Sequence, residues 1–320
     1  MPREEVFHIK LKSKIRGSFR RFYSANSGGL LRDSGPQGGG NMKKGLYILL
    51  ITVALLAVTV VVAYAITNGE PDGDAHSYVG LLVFDVFVPG VGNVPAWRCS
   101  GSLIAPDVVL TAGHCTDGAV AARVWFYEDV TYDNVPFPLY PYGGPGSGAI
   151  EGTPHTNPDF CIGCGNGLPG FAIRDVGIVV LDHRVKKKVV KEYAELPDQG
   201  LVDTLANKTD LTVVGYGVQS EHRGGGPPYW EGLRIRLFAP SQLVSEEFVH
   251  SDEFIKMSLN HSQGKGGTCF GDSGGPDLLG GTDIVLAVNS YVTNYNCAGV
   301  GYSSRVDIQE VLDWINSFPQ

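Results

Sequence analysis

An all-β fold is the class that this sequence of 320 residues predicts. Its 43 Gly and 19 Pro supply the frequent punctuation of a loop-rich sheet protein and work against long helices. Between them run apolar, β-branched stretches with the length and composition of strands: Tyr78 to Val88, Trp97 to Ile104, Val108 to Ala112, Val176 to Leu181, Leu211 to Gly217 and Ile284 to Tyr291. Helical spacing appears at the C-terminus, where Val311, Leu312, Ile315 and Phe318 follow Asp307 as a cap and Glu310 as an acid in the first turn.

Taken from the start, residues 1–41 are basic, Ser/Gly-rich and without a sustained apolar period, and read as a disordered extension that translation from Met42 would omit. Met42-Lys43-Lys44, the apolar run Leu46 to Val62 and the small-residue site Ala63-Tyr64-Ala65 make residues 42–65 a secretory signal peptide. Because about 20 apolar residues span a bilayer, the same segment also reads as an uncleaved signal anchor with its basic flank on the cytoplasmic side. Residues 66–320 are then the folded domain, secreted or tethered outside the membrane. An exported chain with six Cys, an even count, is expected to pair them as disulfides.

Charge narrows the partners. Of the 25 basic and 33 acidic residues, 10 and 3 fall in residues 1–65, leaving 15 basic and 30 acidic in the rest. Nucleic-acid binding needs a cationic surface that releases counterions, so this domain is not expected to bind nucleic acid. Residues 135–171 are Gly- and Pro-rich with little strand character, and 221–232 read as another exposed loop. Within the first lies Cys161-Ile162-Gly163-Cys164. A local disulfide suits this pair better than a zinc site, for which two thiolates and His155 fall short of four ligands, or free redox thiols.

Chemistry concentrates in Thr268-Cys269-Phe270-Gly271-Asp272-Ser273-Gly274-Gly275-Pro276. Glycines around Ser273 permit tight turns and close approach of a substrate. A hydroxyl needs a base to take its proton and donors for the charge that develops on the attacked carbonyl, and the N–H groups of Gly271 and Ser273 are the natural donors. Upstream, Thr111-Ala112-Gly113-His114-Cys115 supplies a His after an apolar run, and Arg174-Asp175-Val176-Gly177-Ile178 an Asp at the head of another.

In this order the three motifs resemble those of the chymotrypsin-like (trypsin-like) serine peptidases, over roughly residues 66–318. The resemblance implies two six-stranded antiparallel β-barrels with a C-terminal helix and the active site in the cleft between them, the first barrel running from about Ile66 to Leu181 and the second from about Lys191. It assigns His114 as general base, Asp175 as its orienting partner supported by Ser290, and Ser273 as nucleophile. It pairs Cys99 with Cys115 and Cys269 with Cys297. Ile66-Thr67-Asn68-Gly69 resembles the mature N-terminus of the family, whose freed ammonium would pair with Asp272, so that removal of the signal peptide itself would activate the enzyme. Gly267 falls at the floor of the specificity pocket, with Tyr291 and Val292 after Ser290 at its mouth. Without a carboxylate at 267, a preference for Arg or Lys loses its electrostatic cause. The expected activity is hydrolysis of protein or peptide substrates by a monomer needing no metal or cofactor; the alternative is a catalytically silent homologue serving as a secreted binding module.

Overall fold

The computed structural model describes Ile66 and residues 69–319, apart from 165–171, 219, 223–228, 246–247, 249, 261–263 and 295–296. The extension over 1–41 and the signal or anchor segment over 42–65 lie outside the described residues. Among the described residues no helix is long and apolar enough to cross a membrane.

After a two-residue strand, β1 (Glu70–Pro71), six strands build a closed barrel: β2 (Val79–Val88), β3 (Gly92–Ala105), β4 (Val108–Thr111), β5 (Ala121–Trp125), β6 (Ile150–Thr156) and, beyond the short ladder of β7 (Cys161–Ile162) with β8 (Ala172–Ile173), β9 (Gly177–Leu181). They close in the order β2-β3-β4-β9-β6-β5 with antiparallel neighbours throughout. Leu81, Val83, Leu103, Val109, Val124 and Ile178 are among the side chains that fill it, all essentially without solvent exposure. A bulge between Phe84 and Asp85 breaks the β2–β3 register and turns the end of the long hairpin.

The second half comprises β10 (Asp210–Gly215), the small hairpin β11 (Ser220–His222) with β12 (Tyr229–Glu231), and β13 (Leu237–Gln242), β14 (Phe254–Leu259), β15 (Pro276–Leu279), β16 (Val285–Val292) and β17 (Gly299–Arg305). Its sheet runs β1-β13-β10-β15-β16-β17-β14. The sheet curls until its ends approach through a single bridge, Leu243 to Met257, and a hydrogen bond from Val244 N to Lys256 O at 2.9 Å. Apart from β1, this is the second six-stranded barrel, closed by a bridge and not by a full ladder. A helix over Gln309–Asn316 packs Val311, Leu312 and Ile315 inward and ends the fold.

Four expectations need correction. Ile66 belongs to the second barrel, where it is fully buried with Leu211, Val213 and Leu237, and β1 pairs with β13. The cause is Asp72: its buried carboxylate accepts from Arg236 Nε at 2.7 Å, and the same guanidinium donates to Gly73 O and Val79 O, so the segment is clamped to the second barrel before it enters the first. Residues 135–171 do hold a barrel strand, β6, because pairing on both sides with β5 and β9 outweighs the low strand propensity of Gly152 and Pro154. Residues 221–232, expected as a loop, hold most of the β11–β12 ladder. Asp307 does not cap the helix, whose N-cap is Ile308; its carboxylate is taken by Arg305 and by the N–H of Val202.

Burial alone would push the Asp72 carboxyl up, but the His76 ring and Arg236 beside it hold it below the usual carboxylate range. Removing one partner of a buried ion pair strands the other. Arg236→Met is therefore expected to lower the unfolding free energy by about 3 kcal/mol in a denaturant titration; an unchanged midpoint would refute this clamp.

Candidate active site

The segment from Thr268 to Gly275 links β14 to β15 and lies against the first barrel. Ser100, fully buried on β3, donates its N–H to Ser273 O at 2.8 Å and its hydroxyl to Gly271 O at 3.0 Å. The same hydroxyl accepts from Tyr216 N at 3.0 Å. From the other side Gly274 N donates to Asn289 O, and Asn289 Nδ2 to Gly275 O. Gly274 has φ +76°, and a Cβ on it would run into Thr111 Oγ1 and Ala112 N, so only glycine lets the end of β4 come this close. Cys269 is bonded to Cys297.

His114 sits on the helical turn Gly113–Thr116 that follows β4, tied to β3 by the Cys99–Cys115 disulfide. Asp175, with no exposed surface, receives His114 N on Oδ1 at 2.7 Å and stands 2.8 Å from His114 Nδ1 through Oδ2. Ser290 Oγ donates to Oδ2 at 2.5 Å. A carboxylate so placed assigns the Nδ1 proton to its own side and leaves Nε2 free to accept. Burial pulls the imidazole pKa down, but the charge and hydrogen bond of Asp175 outweigh it and raise it above the ordinary value. Cys115 Sγ reaches Ser273 O at 3.8 Å, which brings the turn carrying His114 to the segment carrying Ser273. The Ser273 hydroxyl itself makes no hydrogen bond to a described residue, and such contacts tighten when substrate binds.

Two further features of the segment are electrostatic. Neither Gly271 N nor Ser273 N donates to a described acceptor, although Asp272 N between them donates to Cys269 O. Asp272 is fully buried; its Oδ1 accepts from Gly217 N at 2.7 Å and its Oδ2 from Cys269 N at 2.9 Å. Burial, against those two bonds and the charge of Arg98, raises its pKa to about 7. No cation stands within ion-pair distance of it among the described residues. Ile66 is buried with Leu211, Val213 and Leu237 in the second-barrel core and, in this continuous chain, has no hydrogen bond or ion pair with Asp272 among the described residues.

Beside Ser273 opens a cavity of about 140 Å³ walled by Thr268, Cys269, Asn289, Ser290, Tyr291 and Val292. Gly267 is buried and not part of its wall: where a side chain would begin, Leu259 Cβ lies 2.8 Å away. Asn289 was not legible as a wall residue, although it directly precedes Ser290. Behind it, Ser303 Oγ donates to Asn289 Oδ1 at 3.3 Å. Asp277, paired with Ala287 on the neighbouring strand, is fully buried, and that burial pushes its carboxyl well above the usual range. No carboxylate is among the residues that wall the cavity.

Cys161 and Cys164 are bonded to each other. Among the described residues, the one grouping of potential metal ligands is Cys99, His114 and Cys115, and both of its thiols are taken by their disulfide. His155 instead packs against the Phe318 ring, with centroids 5.1 Å apart.

The family model described as Trypsin matches residues 84–315. Serine protease 1 of Drosophila melanogaster is 27% identical over 253 residues, covering 78% of this chain and 84% of that protein. Human chymotrypsin-like elastase family member 3B is 32% identical over 211 residues, 62% of this chain and 69% of the relative. Among solved structures, HL collagenase superposes with a TM-score of 0.56 at 22% identity over 79% of this chain and 97% of its own, a likeness of fold.

If Asp175 holds the imidazole charge, Asp175→Asn leaves burial alone to act on it. The ring titration of His114, followed by NMR, is expected above the ordinary histidine value of about 6.5 in the native chain and to move to lower pH in the variant. An unmoved midpoint would contradict the pairing.

Proposed function

Because the chain belongs to the trypsin family of serine proteases, we propose that it is an exported endopeptidase that cuts peptide bonds through an acyl-enzyme formed on Ser273. His114 Nε2 takes the hydroxyl proton as Ser273 Oγ attacks the carbonyl carbon. The N–H groups of Gly271 and Ser273 receive the oxyanion, and collapse of the tetrahedral adduct expels the amine, which leaves with the proton from His114. Water then repeats the sequence and frees the acid. Asp175 holds the imidazole in orientation and stabilises its charged form. These are the roles of the family's triad, carried onto matching positions.

The observation that carries this reading is the pair of uncommitted N–H groups at Gly271 and Ser273, aimed by a segment that Ser100 and Asn289 fasten from both sides. Such preorganised donors are worth about 3–4 kcal/mol each to acyl transfer. The side-chain preference rests on the neighbouring cavity. A buried Lys or Arg would find no carboxylate among its walls, at a cost of several kcal/mol, so small or medium apolar residues are the substrates it suits. Val292 and Tyr291 at the mouth point the same way.

Activation is proposed to follow export. A chain cut after Ala65 would begin at Ile66, and its ammonium would supply the cation that the buried Asp272 carboxyl lacks. The three disulfides support an oxidising, extracytoplasmic location. Ser273→Ala is expected to reduce hydrolysis of a peptide with Leu or Ala before the scissile bond by about 10⁶-fold in kcat. Turnover retained by that variant would place the activity elsewhere.

A further inference from the structure

We propose that Arg98 is a specificity-determining residue for the leaving-group side of the substrate, where it receives an acidic side chain one or two residues beyond the scissile bond. The inference rests on the protease reading above and adds a second recognition element to it.

The cavity walled by Ser290, Tyr291 and Val292 lies on one flank of Ser273, at the end of β16. A substrate whose side chain enters that cavity leaves by the opposite flank, along the middle of β3. There Arg98 directly precedes Cys99, the disulfide partner of the cysteine next to His114, and lies two residues before the anchoring Ser100. Its guanidinium lies over the oxyanion glycine: a Cβ on Gly271 would stand 3.3 Å from Arg98 Nε, and one on Gly232 would stand 2.5 Å from its Nη2. The cation is thus lodged between the nucleophile segment and the chain after β12, within reach of whatever leaves the scissile carbonyl.

Within the described residues this charge bears on the buried Asp272 carboxyl, whose pKa it lowers without forming an ion pair. Arg98 is half-buried, yet it donates no hydrogen bond and forms no ion pair with any described residue. Every other arginine on the first barrel's strands is committed, as Arg123 is to the buried Asp85. Its five donors in a planar fork, none of them given to a described residue, suit a carboxylate. From Arg98 a groove of about 310 Å³ continues between Pro95, Trp97, Tyr132, Tyr140 and Pro141. A second guanidinium, Arg234, covers the Tyr132 and Tyr140 rings at 4.2 and 4.4 Å from their centroids. In a domain with 15 basic and 30 acidic residues, Arg98 is the one charged side chain among those that wall this groove. A cation so placed selects acidic chains.

The test uses internally quenched peptides that share one sequence before the scissile bond and carry Glu, Gln or Lys at the two positions after it. In the native enzyme kcat/KM for Glu is expected to exceed that for Lys by about tenfold, the equivalent of one charge-assisted contact. The ratio should shrink as salt screens the pair. Arg98→Lys is expected to keep the preference for Glu and Arg98→Glu to invert it, which a purely structural role would not do. A native ratio near one, or a preference for Glu that survives Arg98→Glu, overturns the proposal. A p-nitrophenyl ester, which has no residue beyond the bond, tests the protease reading separately: if the native protein gives no burst and cuts none of the peptides, both readings fall together.

Discussion

A carboxyl group without accessible surface stands next to the proposed nucleophile, and the geometry of the site depends on how its charge is met. Asp272 accepts from Gly217 N and Cys269 N, two bonds that fix the turn but carry no full positive charge. Its pKa of about 7 states the imbalance. In a chain continuous through Ile66 the protonated carboxyl is favoured, so whatever stability it contributes is present below the ordinary carboxylate pKa and is lost as pH rises through about 7. An ammonium at Ile66 would reverse that preference. The N–H groups on either side of Asp272 are those proposed to receive the oxyanion, which is why a distant N-terminus bears on catalysis.

Around this carboxyl the two barrels are stitched, not merely apposed. Ser100 of the first barrel gives its N–H to Ser273 and its hydroxyl to Gly271 and Tyr216 across the seam, while its carbonyl accepts from Thr111 of its own barrel. Across the same seam, Arg236 of the second barrel bonds Asp72, Gly73, Val79 and Tyr216. His114 and Asp175 come from the first barrel, Ser273 and Ser290 from the second. The relative placement of base and nucleophile is therefore set by hydrogen bonds that a single buried hydroxyl and a single buried guanidinium supply.

Much of this was legible before the structure. The apolar β-branched runs became β2, β3, β4, β9, β10 and β16, and the sequence motifs placed His114, Asp175 and Ser273 in one neighbourhood. What stayed hidden has a common cause: it depends on partners distant in sequence. β6 looks unlike a strand because Gly152 and Pro154 lack propensity, and it exists because β5 and β9 flank it. Asp307 looks like a cap until Arg305 and Val202 claim it. Ile66 was read into the wrong barrel because the Asp72–Arg236 clamp joins residues 164 apart. Asn289, which walls the cavity beside Ser273, carries no motif of its own, and Gly267 is not among the wall residues but packs against Leu259.

The most direct test of the account is the intact mass of the exported protein before and after treatment with a serine-directed organophosphorus probe. It reads the N-terminus and the nucleophile in one experiment. The account predicts a chain beginning at Ile66 that gains a single adduct, with no adduct on the Ser273→Ala variant. A chain that retains residues before Ile66 and still gains the adduct at the same rate would contradict the role given to Asp272, and a chain beginning at Ile66 that gains none would contradict the role given to Ser273.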